Sequence, residues 1–236
     1  FFNLLNALYV NHPVKIDIAG TVESISQITK ETLYKCYNTF YHPSNMIIVT
    51  VGDVDPDSVF NMVERGIRAK SNPGRIERIF PEEPTHHNMK LIEKNLAVAI
   101  PQFNMGIKDN SRVTGYELLK RKVALEIMLS MLMGRSSALY NELYNEGLIN
   151  QGFGSDVSLE GSFGYTVWGG QSKEPEKVSE RIISAIEQVH KNGLDRKSFE
   201  RIKKAHEGRF ISKLNSPENI SHEFIPLYFN GAGFFD

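Results

Sequence analysis

Histidines beside glutamates are the residues of this sequence whose types suggest metal-dependent hydrolysis. Of its seven histidines, two directly precede a glutamate, in His206-Glu207 and His222-Glu223. A helical zinc site needs a second histidine one turn away, with the glutamate as general base. The positions of that second ligand hold Phe210 and Pro226 instead. The spacing therefore predicts no zinc site at either pair.

The other nucleophile and ligand types are sparse. Cys36 is the single cysteine, which excludes an internal disulfide and a thiolate zinc cluster within one chain. Its place beside apolar helical positions predicts a small buried thiol rather than a reactive one. His86 and His87 are adjacent and would point in different directions, and no serine lies in a G-x-S-x-G turn. We therefore assign no catalytic residue and no metal ligand to this chain.

The composition is that of an ordinary globular protein. The chain has 236 residues, 41% of them hydrophobic and 23% charged, with a net charge of -1. This charge gives no electrostatic reason to expect a nucleic-acid partner or an anionic membrane. No apolar run reaches the roughly 18 residues that a membrane span needs. We expect neither nucleic acid nor membrane as a partner, and the cysteine usage fits a cytoplasmic setting.

The first part of the chain alternates helix signals with a buried strand. Residues 13–28 begin with a proline and predict an extended loop. Thr29 is a good helix N-cap, and Asp55 followed by Pro56 begins another helix. Residues 46–51 are apolar on both faces, which predicts a strand in the centre of a sheet.

The pattern in the second part of the chain predicts a sheet with helices clustered between and after its strands. This arrangement is typical of the α+β class rather than of βαβ alternation. Alternation predicts a strand pair or one bent strand over residues 96–107 and a hairpin over 153–167. Predicted helices run from Tyr116 to Met133, from a cap at Ser136 or Ser137 to Tyr144, from Pro175 to Asn192, onward from Asp195, and from Pro217 to Tyr228. Prolines and a lack of periodicity mark a linker at 71–88, between domains at 1–70 and 89–236.

Two motifs together resemble a known family. Thr29 to Asp57 gives a helix, a Tyr-His-Pro-Ser-Asn corner, a strand and a second helix start. Leu132 to Leu148 gives a glycine, two serines, a leucine and then Tyr-Asn-Glu-Gly-Leu. In order and spacing the two resemble pitrilysin/insulinase-type zinc peptidases, the family that includes mitochondrial processing peptidase. The resemblance implies the end of one α+β domain and most of a second, each an antiparallel-rich sheet covered on one face by helices.

The resemblance also implies where the zinc chemistry lies. In this family an H-x-x-E-H motif and a downstream glutamate hold zinc, all before the position that matches Phe1. The chain lacks an initial methionine and begins within a helical pattern. We therefore expect a fragment, with zinc in the complete enzyme and none bound by this chain.

Family members orient the substrate with an arginine and a tyrosine in a second domain. The matching positions hold Tyr144 and, with one residue deleted, Asn150. This departure suggests the bacterial branch built from paired subunits, with a homologous second subunit as partner in a heterodimer or homodimer. Near them, Gly152 and Gly154, together with Gly164, predict a sheet edge at 153–167 that accepts a peptide by strand addition. Ordinary hairpin glycines are an equally good interpretation.

Three functional hypotheses follow. The first is part of a zinc endopeptidase subunit that hydrolyses peptides in an enclosed chamber, inactive as this chain alone. The second is a non-catalytic scaffolding and peptide-binding subunit of such a heterodimer. The third, an unrelated α+β binding module, requires both motif matches to be coincidental.

Overall fold

A computed structural model of the chain describes residues 1–67, 74 and 76–236. The strands are β1 (Gln102–Lys108), β2 (Gly154–Leu159) and β3 (Gly164–Gln171). The helices are α1 (Phe2–Leu8), α2 (Val22–Ser26), α3 (Lys30–Phe40), α4 (Pro56–Gly66), α5 (Gly115–Met133), α6 (Ala138–Asn145), α7 (Pro175–Asn192), α8 (Arg196–Lys213) and α9 (Pro217–Asn230).

Local capping chemistry places most helix ends where the sequence predicts them. The side chain of Thr29 accepts a hydrogen bond from the backbone of α3, and that of Asp55 does the same for α4. Ser137 caps α6 and Asp195 caps α8 in the same way. Helix α7 ends before Gly193, whose φ of 75° suits glycine. These predicted helix boundaries are confirmed.

Residues 13–28 differ from the predicted extended loop. A short 3-10 turn covers Pro13–Lys15, and α2 follows it. Thr21 and Ser24 form a capping box, in which each side chain bonds the other residue's backbone N–H. This local pairing is enough to begin a helix that a search for apolar periodicity overlooks.

The predicted central strand at 46–51 is wrong for this structure. Within the described ranges these residues pair with no strand, and Met46 and Ile48 are exposed. The neighbouring helix α3 has no buried residue and Cys36 is exposed, so the expectation that Cys36 is buried is also wrong. An apolar sequence becomes a strand when its backbone groups find a partner, and the three strands of the described sheet pair with one another instead.

The sheet is antiparallel, with strand order β1-β3-β2. The hairpin of β2 and β3 is confirmed, and β1 lies on the far side of β3. The first strand is shorter than the 96–107 prediction because it begins after Pro101, which has no N–H to contribute to a ladder. Gln102 lies opposite Gln171 in this register, so the start of β1 meets the end of β3.

Helices cover one face of the sheet and α1 covers part of the other. The main core joins Val157 and Trp168 of the sheet to α5, α6 and α7, and Val178 and Ile182 of α7 are fully buried. On the opposite face, Leu5 and Tyr9 pack against Tyr165. The domain boundary at 71–88 stays a prediction, and its residues 71–73 and 75 lie outside the described part.

A buried ionic cluster fastens the end of α1 to β1. The carboxylate of Glu83 accepts hydrogen bonds from the backbone N–H groups of Val10, Asn11 and His12 and from the ammonium of Lys108. The side chains of Glu83 and Lys108 are 3% and 5% exposed. Burial raises the pKa of Glu83, but the hydrogen bonds from Lys108 and the three backbone amides outweigh it and lower that pKa to about 2.

Candidate functional site

An open cleft of about 880 Å³ lies where β1 begins, β3 ends and the chain turns after α6. Its volume falls within the range of known ligand sites. We call it the amide cleft, after the side chains that dominate it. It is lined by Gln102, Phe103, Asn104, Tyr144, Ile149, Asn150, Gln151, Gly152, Gly170 and Gln171.

The structure brings three of the four predicted site residues to this cleft. Tyr144, Asn150 and Gly152 line it. Gly154 lies just beyond, as the first residue of β2, and pairs with Gly169. The four positions are therefore neighbours in space as well as in sequence.

Gly164, which the sequence grouped with them, has a different place. It is buried at the start of β3, where the Tyr9 hydroxyl donates to its carbonyl across 2.6 Å and accepts from its N–H at 3.1 Å. A Cβ at this position would meet Leu159 at 2.6 Å. Gly164 thus allows the sheet to pack closely against Tyr9 at the end of α1. The prediction that it leaves room for a peptide is wrong.

Two hydrogen bonds shape the floor of the amide cleft. The side-chain nitrogen of Asn150 donates to Oε1 of Gln171 across 2.9 Å, and the backbone N–H of Gly152 donates to Oδ1 of Asn150 across 2.8 Å. The Asn150 side chain therefore forms one hydrogen bond within the turn after α6 and a second that joins this turn to the end of β3. This leaves the turn held in place before any ligand arrives.

Glycines on β3 let the turn approach the sheet closely. A Cβ at Gly170 would lie 3.0 Å from Cα of Phe153, and one at Gly169 would lie 2.2 Å from the carbonyl oxygen of Phe103. Gly154 differs, because a Cβ there would have no atom of the described residues within 4 Å. The glycines of β3 are thus required by the fold, whereas Gly154 faces open space.

Helix α6 positions Tyr144 at the rim. The Ser137 hydroxyl caps this helix, and the buried ring of Tyr140 stacks on Tyr144 with 6.1 Å between ring centroids. The Tyr144 side chain is 41% exposed. Its ring can therefore contact a ligand in the cleft while Tyr140 fixes its orientation.

Sequence reasoning missed four of the polar residues in the cleft: Gln102, Asn104, Gln151 and Gln171. With Asn150 they give five primary amides, and no described residue of the lining is an aspartate, glutamate, lysine, arginine or histidine. Alternation in β1 did mark Phe103 and Met105 as facing one way, so Gln102 and Asn104 had to face the other. What the sequence did not show was the pairing that sets Gln102 beside Gln171.

The outer edge of β2 is free for pairing within the described chain. In the described sheet β2 bonds to β3 alone, and its residues 154–156 are exposed. An exposed edge strand can add an extended peptide through backbone hydrogen bonds. This edge begins beside the amide cleft.

The histidines form no metal centre with the other residues that the structure describes. No group of three or more histidine, cysteine, aspartate or glutamate residues among the described positions is arranged to hold a metal ion. Nε2 of His206 lies 3.3 Å from the hydroxyl of Ser130, and burial and then the charge of Arg209 lower the pKa of this histidine. Glu223, the partner of His222 in sequence, is bound to Lys213. The residues that the structure describes do not fit a zinc site.

A second cleft of about 390 Å³ lies between α5, α6 and α7. It contrasts with the first because charges line it: Arg181 contacts Glu142 at 2.6 Å, and Glu142 and Arg181 are both in the wall. Gln188 is an exposed amide in this wall.

None of the described helices combines the length and apolar character that a bilayer crossing requires.

A model of a known protein family matches a large part of the chain. Residues 27–205 match the family described as "Peptidase M16 inactive domain". The match includes both sequence motifs and all three described strands of the sheet. It also includes every residue of the amide cleft.

Named relatives agree with the family model. The chain is 38% identical to the uncharacterized zinc protease YmfH of Bacillus subtilis (strain 168), covering 100% of this chain and 56% of that protein. It is 25% identical to the zinc protease PqqE of Helicobacter pylori (strain ATCC 700392 / 26695), covering 95% and 51%. The chain thus spans about half the length of these curated relatives.

Solved structures show the same fold. A crystal structure described as an M16-like peptidase from Alicyclobacillus acidocaldarius has a TM-score of 0.91 at 38% identity, covering 98% of this chain and 55% of that one. A protease from Helicobacter pylori has a TM-score of 0.84 at 22% identity, covering 98% and 56%, and this likeness concerns the fold alone.

Proposed function

The chain belongs to the peptidase M16 family, the pitrilysin/insulinase-type zinc peptidases to which its motifs pointed, and we propose that it is the peptide-holding part of a zinc-dependent endopeptidase. In this role the chain binds an extended peptide and does not itself cleave it. Hydrolysis and zinc belong to the complete enzyme, in which the H-x-x-E-H motif lies outside these residues.

The amide cleft is the observation that carries this proposal. It places Tyr144 and Asn150, the positions that match the substrate-orienting pair of the family, in one open wall beside the free edge of β2. An extended peptide running along that edge would pass Gly154, where a Cβ would have no described atom within 4 Å. The site therefore offers both backbone pairing and side-chain contact to one ligand.

The family match also supports a binding role. The matched model is described as an inactive domain, and the described histidines do not meet as metal ligands. Tyr144 has no guanidinium, so the cleft can orient a peptide but cannot offer a cation to a developing oxyanion. A homologous second subunit, in a heterodimer or homodimer, would supply the missing group.

A non-catalytic scaffolding subunit is the alternative, favoured by the same inactive-domain match. The two proposals differ in whether the complete gene product carries H-x-x-E-H. Stoichiometric zinc in the purified complete gene product supports the endopeptidase subunit, and its absence supports the scaffold.

Peptide binding by the 236-residue chain tests the proposed function. A fluorescein-labelled, end-blocked decapeptide should show saturable anisotropy with the chain, and mass spectrometry should find the peptide intact with or without added zinc. Tyr144→Ala should weaken binding, whereas the control Tyr116→Ala, at an exposed tyrosine of α5, should not. Absence of binding, or cleavage by the chain alone, would contradict the proposal.

A further inference from the structure

The lining of the amide cleft has an unusual chemical uniformity. Among the residues that the structure describes, its polar side chains are five neutral amides and one phenol, and none of them is charged. We propose that this cleft selects an uncharged segment of the bound peptide and discriminates against acidic and basic side chains. The inference rests on the proposed function, because it names the kind of peptide that the same site accepts.

Three of the amides are available to a ligand. Within the described residues, the side chains of Gln102, Asn104 and Gln151 donate and accept no hydrogen bonds. A primary amide carries both donors and acceptors, as a peptide group does. These side chains can therefore bond the N–H and C=O groups of a peptide backbone, or a neutral polar side chain, without leaving a partner unsatisfied.

The side-chain amides of the two other residues already form a hydrogen bond within the protein. Asn150 and Gln171 bond each other, which fixes the direction of at least one donor and one acceptor in the floor. Phe103, Ile149 and the Tyr144 ring add apolar surface between the amides. The combination suits a peptide segment of small apolar or neutral polar residues.

A charged side chain would lose water in this cleft without finding a counter-charge. The guanidinium of Arg135 lies outside the lining and reaches the carbonyl oxygen of Gln151 at 3.4 Å. Glu142 of α6 and Glu146, the residue after its end, lie 2.6 and 3.1 Å from Arg181, which pairs with both. Partial desolvation of an unpaired charge is unfavourable, so it would weaken the binding of acidic and of basic side chains alike.

Three peptides of one design measure this selection. They share blocked termini and a nine-residue alanine, valine and threonine background, with glutamine, glutamate or lysine at three alternate positions. Binding to the 236-residue chain at 0.15 M salt should be about tenfold weaker for the glutamate and lysine peptides than for the glutamine peptide. Equal or tighter binding of either charged peptide would overturn the inference and leave the proposed function intact. Failure of all three to bind would overturn both.

A charge placed in the lining tests the site directly. Gln102→Lys should strengthen binding of the glutamate peptide and weaken that of the lysine peptide, each by about tenfold. Gln188→Lys makes the same substitution in the second cleft, at an exposed amide. It should leave the order of the three affinities unchanged. If both variants changed the order of the three peptide affinities in the same way, the selection would depend on the net charge of the chain and not on the cleft. That result would contradict the inference.

Discussion

The side-chain nitrogen of Asn150 donates a hydrogen bond to Oε1 of Gln171 across 2.9 Å. This contact joins the turn after α6 to the last residue of β3, which are 21 positions apart in sequence. Since Asn150 also accepts the N–H of Gly152, one side chain sets the shape of the amide cleft before a ligand binds.

Replacing Asn150 by alanine should weaken the fold slightly and peptide binding strongly. The variant loses both hydrogen bonds of a half-buried side chain, so the free energy of unfolding should fall by about 1 to 2 kcal/mol. Urea denaturation measures that change, and peptide anisotropy measures affinity. A variant that keeps wild-type affinity would show that the cleft does not depend on this turn.

Alanine at Gly154 should weaken peptide binding with little effect on stability, whereas alanine at Gly170 should destabilise the fold. At Gly154 a Cβ meets open space, so stability should change by no more than about 0.5 kcal/mol while a peptide loses its close approach. At Gly170 the Cβ would press on the backbone of Phe153, which should cost about 1 to 3 kcal/mol. Thermal unfolding beside peptide titration measures both, and a Gly154→Ala chain with wild-type affinity would exclude that position from the site.

Removal of the Tyr9 hydroxyl should destabilise the packing of α1 on the sheet. Tyr9→Phe leaves the buried N–H and C=O of Gly164 without this partner, and it should cost about 2 kcal/mol of unfolding free energy. Tyr116→Phe, at an exposed ring, is the matched control and should stay within about 0.5 kcal/mol of wild type. Equal effects of the two changes would contradict the role assigned to Tyr9.

Because of the Glu83 cluster, the free energy of unfolding should fall as the pH falls. The pKa of this carboxyl is lowered from 4.5 to about 2, so its contribution is fully present above about pH 4.5 and is lost as the pH falls towards 2. The amount should be roughly 2 to 3 kcal/mol. Denaturation curves between pH 5 and about pH 2 measure it. Glu83→Gln should remove this part of the slope, and Glu82→Gln, at the exposed neighbour, should retain it.

The helices could be predicted because their ends are set by neighbours in sequence. Ser137, Asp195 and Gly193 each act within four residues, so the sequence displays the whole interaction. The hairpin of β2 and β3 was predictable for the same reason. Tyr144, Asn150 and Gly152 were found together through motif spacing, which does not need the fold.

What could not be predicted depends on distant partners. Residues 46–51 have strand composition, but no described strand pairs with them. Gly164 looked like an open hairpin glycine until the fold brought Tyr9 to it from 155 positions away. Gln102 and Gln171 became site residues through the register of β1 on β3. Each case required a long-range contact that local pattern does not encode.

Hydrogen–deuterium exchange with and without the neutral nonapeptide tests most directly whether the amide cleft holds peptide. We expect slower exchange at residues 149–156, at 102–104 and at 170–171, because these backbone groups line the cleft or the adjoining edge of β2. The second cleft, between α5 and α7, should show no change. Protection confined to that cleft or to α3 and α4, with residues 149–156 unaffected, would contradict the account.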